Sequence, residues 1–211
     1  MRDFTDNCVV LKISDYRDND RIAKVLTAEN GLVTVHLRGV KKPKAKLKPF
    51  AQAFSVFQTR LVCNRGSFMT PVDPMLIADG FGLCADLKTF TAASVAAEAT
   101  AAAIGDDEPH TDIFVEFLKF IKALGGCGDA YYTATVYMLH LLRATGFYRE
   151  YTYTENPTTQ LSLLGYAQRT GYEARQSSDL ARRALKYVCV EFEKNFDSGL
   201  KSLDSIDLYA D

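Results

Sequence analysis

Six basic side chains crowd one short stretch: Arg38, Lys41, Lys42, Lys44, Lys46 and Lys48, with no acidic residue among them. Pro43 and Pro49 exclude a regular helix through it. If the stretch is extended, Lys42, Lys44, Lys46 and Lys48 project to one side at two-residue spacing. Such a row of ammonium groups repels itself and gains by meeting phosphates, each of which releases a condensed counterion. The pattern predicts nucleic-acid binding, although basic runs of this length also meet other polyanions or simply solvate a loop. Aromatic residues flank the stretch, with Tyr16 before it and Phe50, Phe54 and Phe57 after it. Phe54 and Phe57 are assigned to a core. Phe50 and Tyr16 are candidate surfaces on which bases stack. Arg182 and Arg183 form a second basic spot, which extends the track if their helix lies near the first.

Catalytic chemistry has little to stand on. His36, His110 and His140 are too far apart in sequence to form a helical metal pair. No GxSxG, Walker A or GxGxxG pattern occurs. The densest acidic cluster, Asp106-Asp107-Glu108, sits between Gly105 and Pro109, where a polar loop before a helix is expected. Cys8, Cys63, Cys84, Cys127 and Cys189 are scattered, with no two close enough for a CxxC knuckle. They read as reduced thiols. No metal, cofactor or catalytic residue is expected.

The net charge of −1 hides an asymmetry. Residues 1–80 hold 13 Lys and Arg against 8 Asp and Glu, whereas residues 81–211 hold 12 against 18. The basic half is thus the one suited to a polyanion. No apolar run is long enough to span a membrane, and the N-terminus lacks a secretory pattern, so the expectation is cytoplasmic and nucleoid-associated.

Two kinds of element must position these groups. Residues 7–13, 21–27, 32–38, 51–62 and 67–72 read as five short strands. After Asn30-Gly31 the alternation sets Val33, Val35 and Leu37 to one side and Thr34, His36 and Arg38 to the other. Five strands in so short a stretch predict a small closed barrel. From residue 85 the pattern turns helical. Residues 92–103 are alanine-rich, 111–124 and 129–145 are periodic, and Ser178 or Asp179 caps a last helix with Leu180, Ala184, Val188 and Phe192 inward. Residues 150–178 break the rhythm, and 163–174 suggest a small hairpin around Arg169-Thr170-Gly171. The fold class is therefore α+β, with domains at 1–75 and 76–211.

The order of features resembles the RecO family of bacterial DNA repair and recombination mediators. The resemblance lies in VLKISDYRDNDRIAKVLTAENGLVTVHLRGVKKPKAKLKPFAQAF (10–54), with its Tyr-x-Asp-x-Asp-Arg stretch, Arg-Gly and basic loop. LLRATGFY (141–148) and LKSLDSI (200–206) add weaker matches. It implies a five-stranded OB-fold barrel followed by an all-helical domain. It implies binding of single- and double-stranded DNA, annealing of complementary strands, and RecA loading with RecR on strands coated by the single-strand-binding protein (SSB). It brings Arg38 and the lysines from Lys41 to Lys48 into DNA contact, with Tyr16, Arg17 and Arg21 of the motif beside them. In the acidic helical half, Lys119, Lys122 and Arg143 are candidates to receive SSB's acidic C-terminal tail. Many family members carry a four-cysteine zinc site after the Gly-Phe-Tyr stretch. Residues 149–178 here contain no cysteine, so zinc is expected to be absent. An OB-type RNA-binding module and a protein-interaction adaptor are the alternatives.

Overall fold

A computed structural model describes residues 2–63, 66–106, 108–126, 128–174 and 176–207. Cys127 and Asp107 lie outside the described residues. The chain forms two compact units, Met1–Cys84 with Ile104–Phe114, and Ala85–Ala103 with Val115–Asp211.

The first unit is an antiparallel barrel of β1 (Arg2–Tyr16), β2 (Asp20–Thr27), β3 (Gly31–Leu37), β4 (Val56–Cys63) and β5 (Thr70–Ala78), in the order β3-β2-β1-β4-β5. The first half of β1 pairs with β4 and the second half with β2, and an irregularity between Val10 and Lys12 marks the change. Bulges of this kind bend a long strand so that it can serve both neighbours. Met69, just ahead of β5, bonds in parallel to β3: His36 N–H donates to its carbonyl at 2.8 Å, and its own N–H to that of Thr34 at 2.8 Å. That pairing closes the sheet as an OB fold and removes its open edges. Val33, Val35 and Leu37 fill the interior with Val10, Val25 and Leu61, as their alternation requires.

The remaining departures have local causes. Residues 51–55 are not strand, because the chain turns through Phe54 at φ +66° before β4 begins. β5 continues past Pro71 and Pro74 to Ala78. Gly31 opens β3 at φ +69°, and a Cβ there would sit 2.3 Å from the Glu108 carbonyl oxygen, so only glycine fits.

The helices are α1 (Phe81–Ala85), α2 (Leu87–Ala103), α3 (Thr111–Leu124), α4 (Ala130–Ala144), α5 (Gln160–Thr170) and α6 (Ser178–Phe196). In the second unit α4 is buried on almost every side, packed on α2, α5 and α6. Asp129 caps it, accepting from Tyr131 and Tyr132 N–H. On α6, Leu180, Ala184, Val188 and Phe192 face inward as expected, but the cap is Ser177 rather than Ser178 or Asp179. The expected hairpin at 163–174 is corrected to α5. Thr159 and Ser162 form a capping box, Leu163, Leu164 and Ala167 bury one helical face, and Gly171 at φ +62° ends the helix. The glycine read as a hairpin turn is thus a helix terminator. Among the described residues no helix is long and apolar enough to cross a membrane.

Candidate nucleic-acid interface

The basic stretch joins β3 to β4 and is not extended. It is wound into successive turns, with N–H donations from Lys42 to the Gly39 carbonyl, Ala45 to Lys42, Lys48 to Ala45 and Ala51 to Lys48. This corrects the single-edge row. Without a partner strand, the backbone satisfies itself three residues away, and the prolines bar a ladder. Val40 and Phe50 turn inward and anchor the loop, while Arg38, Lys41, Lys42, Lys44, Lys46 and Lys48 all remain exposed.

The cations divide by what holds them. Lys41 Nζ lies 2.9 Å from Asp15 Oδ2, and Arg21 Nε 3.1 Å from Asp15 Oδ1. Lys41 and then Arg21 keep the Asp15 carboxyl below its ordinary pKa. Arg21 also donates to the Ala51 carbonyl at 3.2 Å, so it braces the loop. Lys42, Lys44, Lys46 and Lys48 take part in no ion pair with the described residues. They are the ammonium groups that gain most from phosphate.

Near Asp15, to which Lys41 ties the loop, stands an aromatic group that sequence reasoning missed. Tyr16, His36 and Phe68 meet edge to face, with centroids 5.3 Å (Tyr16–His36), 5.8 Å (Tyr16–Phe68) and 6.2 Å (His36–Phe68) apart. Tyr16 ends β1 and Phe68 precedes β5, so the loops joining β1 to β2 and β4 to β5 both contribute, as they do at OB ligand faces. Tyr16 and Phe68 are half-buried. The Arg17 guanidinium sits 5.1 Å from the Tyr16 ring centre. His36, expected on the outer face, is buried beneath these rings. Its Nε2–H donates to Asp20 Oδ2 at 2.8 Å, and its Nδ1 accepts from Arg38 Nε at 3.5 Å. Asp20 Oδ1 accepts Gly39 N–H at 2.8 Å. That N–H, and then His36, hold the Asp20 carboxyl below its ordinary pKa. The second aspartate of the Tyr-x-Asp-x-Asp-Arg stretch thus fixes the Arg-Gly turn from which the loop departs. The signal was in the motif; its role needed the fold.

Three expected sites are placed otherwise. Phe50 is buried, edge-on to Phe57 at 5.4 Å, so it anchors the loop and cannot stack a base. Arg182 is held by Asp179 and Asp207, both at 3.0 Å, and Arg183 lies 3.3 Å from Asp179. Two carboxylates, Asp179 and Asp207, thus share three cations, Arg182, Arg183 and Lys186, so this basic spot is only partly compensated. Lys119 pairs with Glu116 at 3.2 Å, Arg143 lies over the Tyr148 ring at 5.3 Å, and Lys122 is exposed.

Nothing in this arrangement resembles a nucleophile with its base. Cys8 and Cys189 are buried, and burial pushes both thiols up, away from the reactive thiolate. Between residues 149 and 178 there is neither cysteine nor histidine, so this segment cannot supply a four-cysteine zinc site. Among the described residues no group of three or more His, Cys, Asp or Glu side chains could hold a metal ion.

A closed OB barrel bearing a cationic loop, followed by an all-helical region, defines the class. Residues 1–73 match the family model Recombination protein O N terminal, and residues 84–187 match Recombination protein O C terminal. The chain belongs to the RecO family. Proteins named DNA repair protein RecO are similar to it. That of Anaeromyxobacter dehalogenans strain 2CP-C is 29% identical over 139 residues, covering 65% of this chain and 55% of the relative. That of Clostridium acetobutylicum is 30% identical over 146 residues, covering 68% and 58%. That of Bacillus subtilis strain 168 is 26% identical over 142 residues, covering 67% and 55%. The matched stretch therefore spans little more than half the length of these relatives.

Proposed function

We propose that the chain is a DNA-binding recombination mediator, acting by binding and not by catalysis. It would hold single- and double-stranded DNA, anneal complementary strands, and assist RecA loading with RecR on SSB-coated DNA. One observation carries the reading: Lys42, Lys44, Lys46 and Lys48 stand exposed and without carboxylate partners among the described residues, on a loop that Lys41 ties to Asp15, next to Tyr16 of the Tyr16–His36–Phe68 group. Lysines neutralise phosphates without reading sequence, so little sequence preference is expected. Stacking on Tyr16 and Phe68 is worth about 1–3 kcal/mol per base and leaves the pairing edges exposed. Lowered repulsion between backbones, with bases held open, is what annealing needs. The names of the relatives direct the ligand toward DNA and the work toward repair.

SSB's acidic tail would meet Lys119, Lys122 and Arg143, of which Lys119 also faces Glu116 and Arg143 also lies over the Tyr148 ring. The test is competition: a labelled single-stranded DNA is displaced by unlabelled DNA or RNA of equal length, and annealing of complementary DNA strands is timed with and without the protein. DNA should displace better, and annealing should quicken. Preferential displacement by RNA would make the barrel an RNA module, and failure to bind either at low salt would leave an adaptor.

A further inference from the structure

The helical unit holds a tyrosine-lined groove that the barrel reading does not use. After α4 the chain runs from 147 to 158 without regular structure and lies along α5. Gln168 clamps it: Oε1 accepts Tyr151 N–H at 3.0 Å, and Nε2 donates to the Arg149 carbonyl at 2.6 Å. Gly165 permits the approach, because a Cβ there would sit 2.1 Å from the Thr152 carbonyl oxygen. The segment's backbone is therefore held against α5.

Each of its three tyrosines carries an arginine. Arg143 lies 5.3 Å from the Tyr148 ring centre, Arg149 5.5 Å from Tyr151, and Arg169 4.6 Å from Tyr153. Tyr153 also lies parallel to Tyr166, with centroids 6.2 Å apart. Tyr148 is 49% exposed and Tyr153 39%. Two adjoining hollows of about 270 and 600 Å³ open here, and Tyr148 and Tyr151 line both. Arg149 faces Glu191 at 3.9 Å, whereas Arg143 and Arg169 enter no ion pair among the described residues.

A guanidinium stacked on a ring has already given up its side-chain freedom. Arg143 and Arg169 both remain exposed, so their N–H edges can match a phosphate bidentately. The open face of a tyrosine takes a base, and the stacked arginine adds cation–π attraction. An acidic peptide would use the arginine edges but leave the ring faces without flat partners. A single strand uses both. We propose that this groove is a second single-stranded nucleic-acid site, with bases on Tyr148 and Tyr153 and phosphates on Arg143 and Arg169. The choice of ligand rests on the nucleic-acid reading of the barrel; the geometry does not. Two such sites let one molecule hold two strands at once.

The test uses the full chain with short oligo(dT) carrying 5-iododeoxyuridine, photo-crosslinked and mapped by mass spectrometry. Wild type should crosslink at the barrel and at Tyr148 or Tyr153. With Lys42, Lys44, Lys46 and Lys48 changed to alanine, groove crosslinks should persist while barrel crosslinks fall several-fold. Tyr148→Ala with Tyr153→Ala should do the reverse, whereas Tyr148→Phe with Tyr153→Phe, which keeps both rings, should crosslink as wild type; thermal unfolding of each variant checks that the fold is intact. Energy transfer between donor- and acceptor-labelled oligo(dT) should fall several-fold in either alanine variant. Crosslinks confined to the barrel would overturn the second site, as would groove tyrosines that bind an acidic peptide but never crosslink DNA. Crosslinks confined to the groove would instead overturn the barrel reading and uphold this one. Crosslinks nowhere would overturn both.

Discussion

Asp15 is the residue on which the charge of the barrel face turns. It engages both Lys41 and Arg21, so two of the cations expected to meet DNA are partly spent within the protein. Surface pairs of this kind are weak, and a phosphate can compete for them. Asp15→Asn should release both cations. Affinity for single-stranded DNA should rise, and the plot of log K against log salt should steepen by roughly 0.7 for each additional phosphate neutralised. Titration across a salt series checks this; unchanged or weaker binding would show that Lys41 and Arg21 serve only to brace the loop. The exposed lysines were legible from sequence because a run so rich in base and free of acid has few folded uses. Phe68 was not, since nothing in its local sequence places it beside Tyr16 and His36; only barrel closure does.

At the scale of elements, alternation in β3 and helical spacing in α6 were readable because each turns a regular apolar set inward, although β3 buries His36 on its other face as well. The loop's winding and α5 were not. Proline and lysine spacing fits extended and turn conformations alike, and Thr170-Gly171 looks the same as a hairpin turn or a helix end. The helical unit also has a titratable junction. Glu116 on α3 accepts from His140 Nδ1 on α4, at 2.5 Å, and from the Tyr172 hydroxyl beyond α5, at 2.8 Å. Burial pushes the Glu116 carboxyl up, but the bonds from His140 and Tyr172 outweigh it and leave its pKa below the ordinary value. A carboxylate so depressed adds stability above its unfolded pKa, about 4.3, and that contribution is lost as pH falls through the folded value. Urea unfolding of wild type and Glu116→Gln from neutral pH downward should show the wild-type advantage intact near neutrality and shrinking below about pH 4. A difference that does not vary with pH would contradict the junction's ionic character.

For the whole molecule, the near-zero net charge conceals a basic stretch, residues 1–80, and an acidic remainder. That division was plain in the sequence and agrees with an exposed lysine loop on the barrel. Which basic residues remain available was not plain, because ion pairs such as Arg182 with Asp207 form between residues distant in sequence. The central claim is that Lys42, Lys44, Lys46 and Lys48, which enter no ion pair among the described residues, meet phosphate. It is tested most directly by the salt dependence of single-stranded DNA affinity for wild type and for the variant with Lys42, Lys44, Lys46 and Lys48 changed to alanine. The variant should bind more weakly, with a slope shallower by roughly 0.7 for each phosphate no longer neutralised, up to about 3 in all. An affinity and slope equal to wild type would contradict the account.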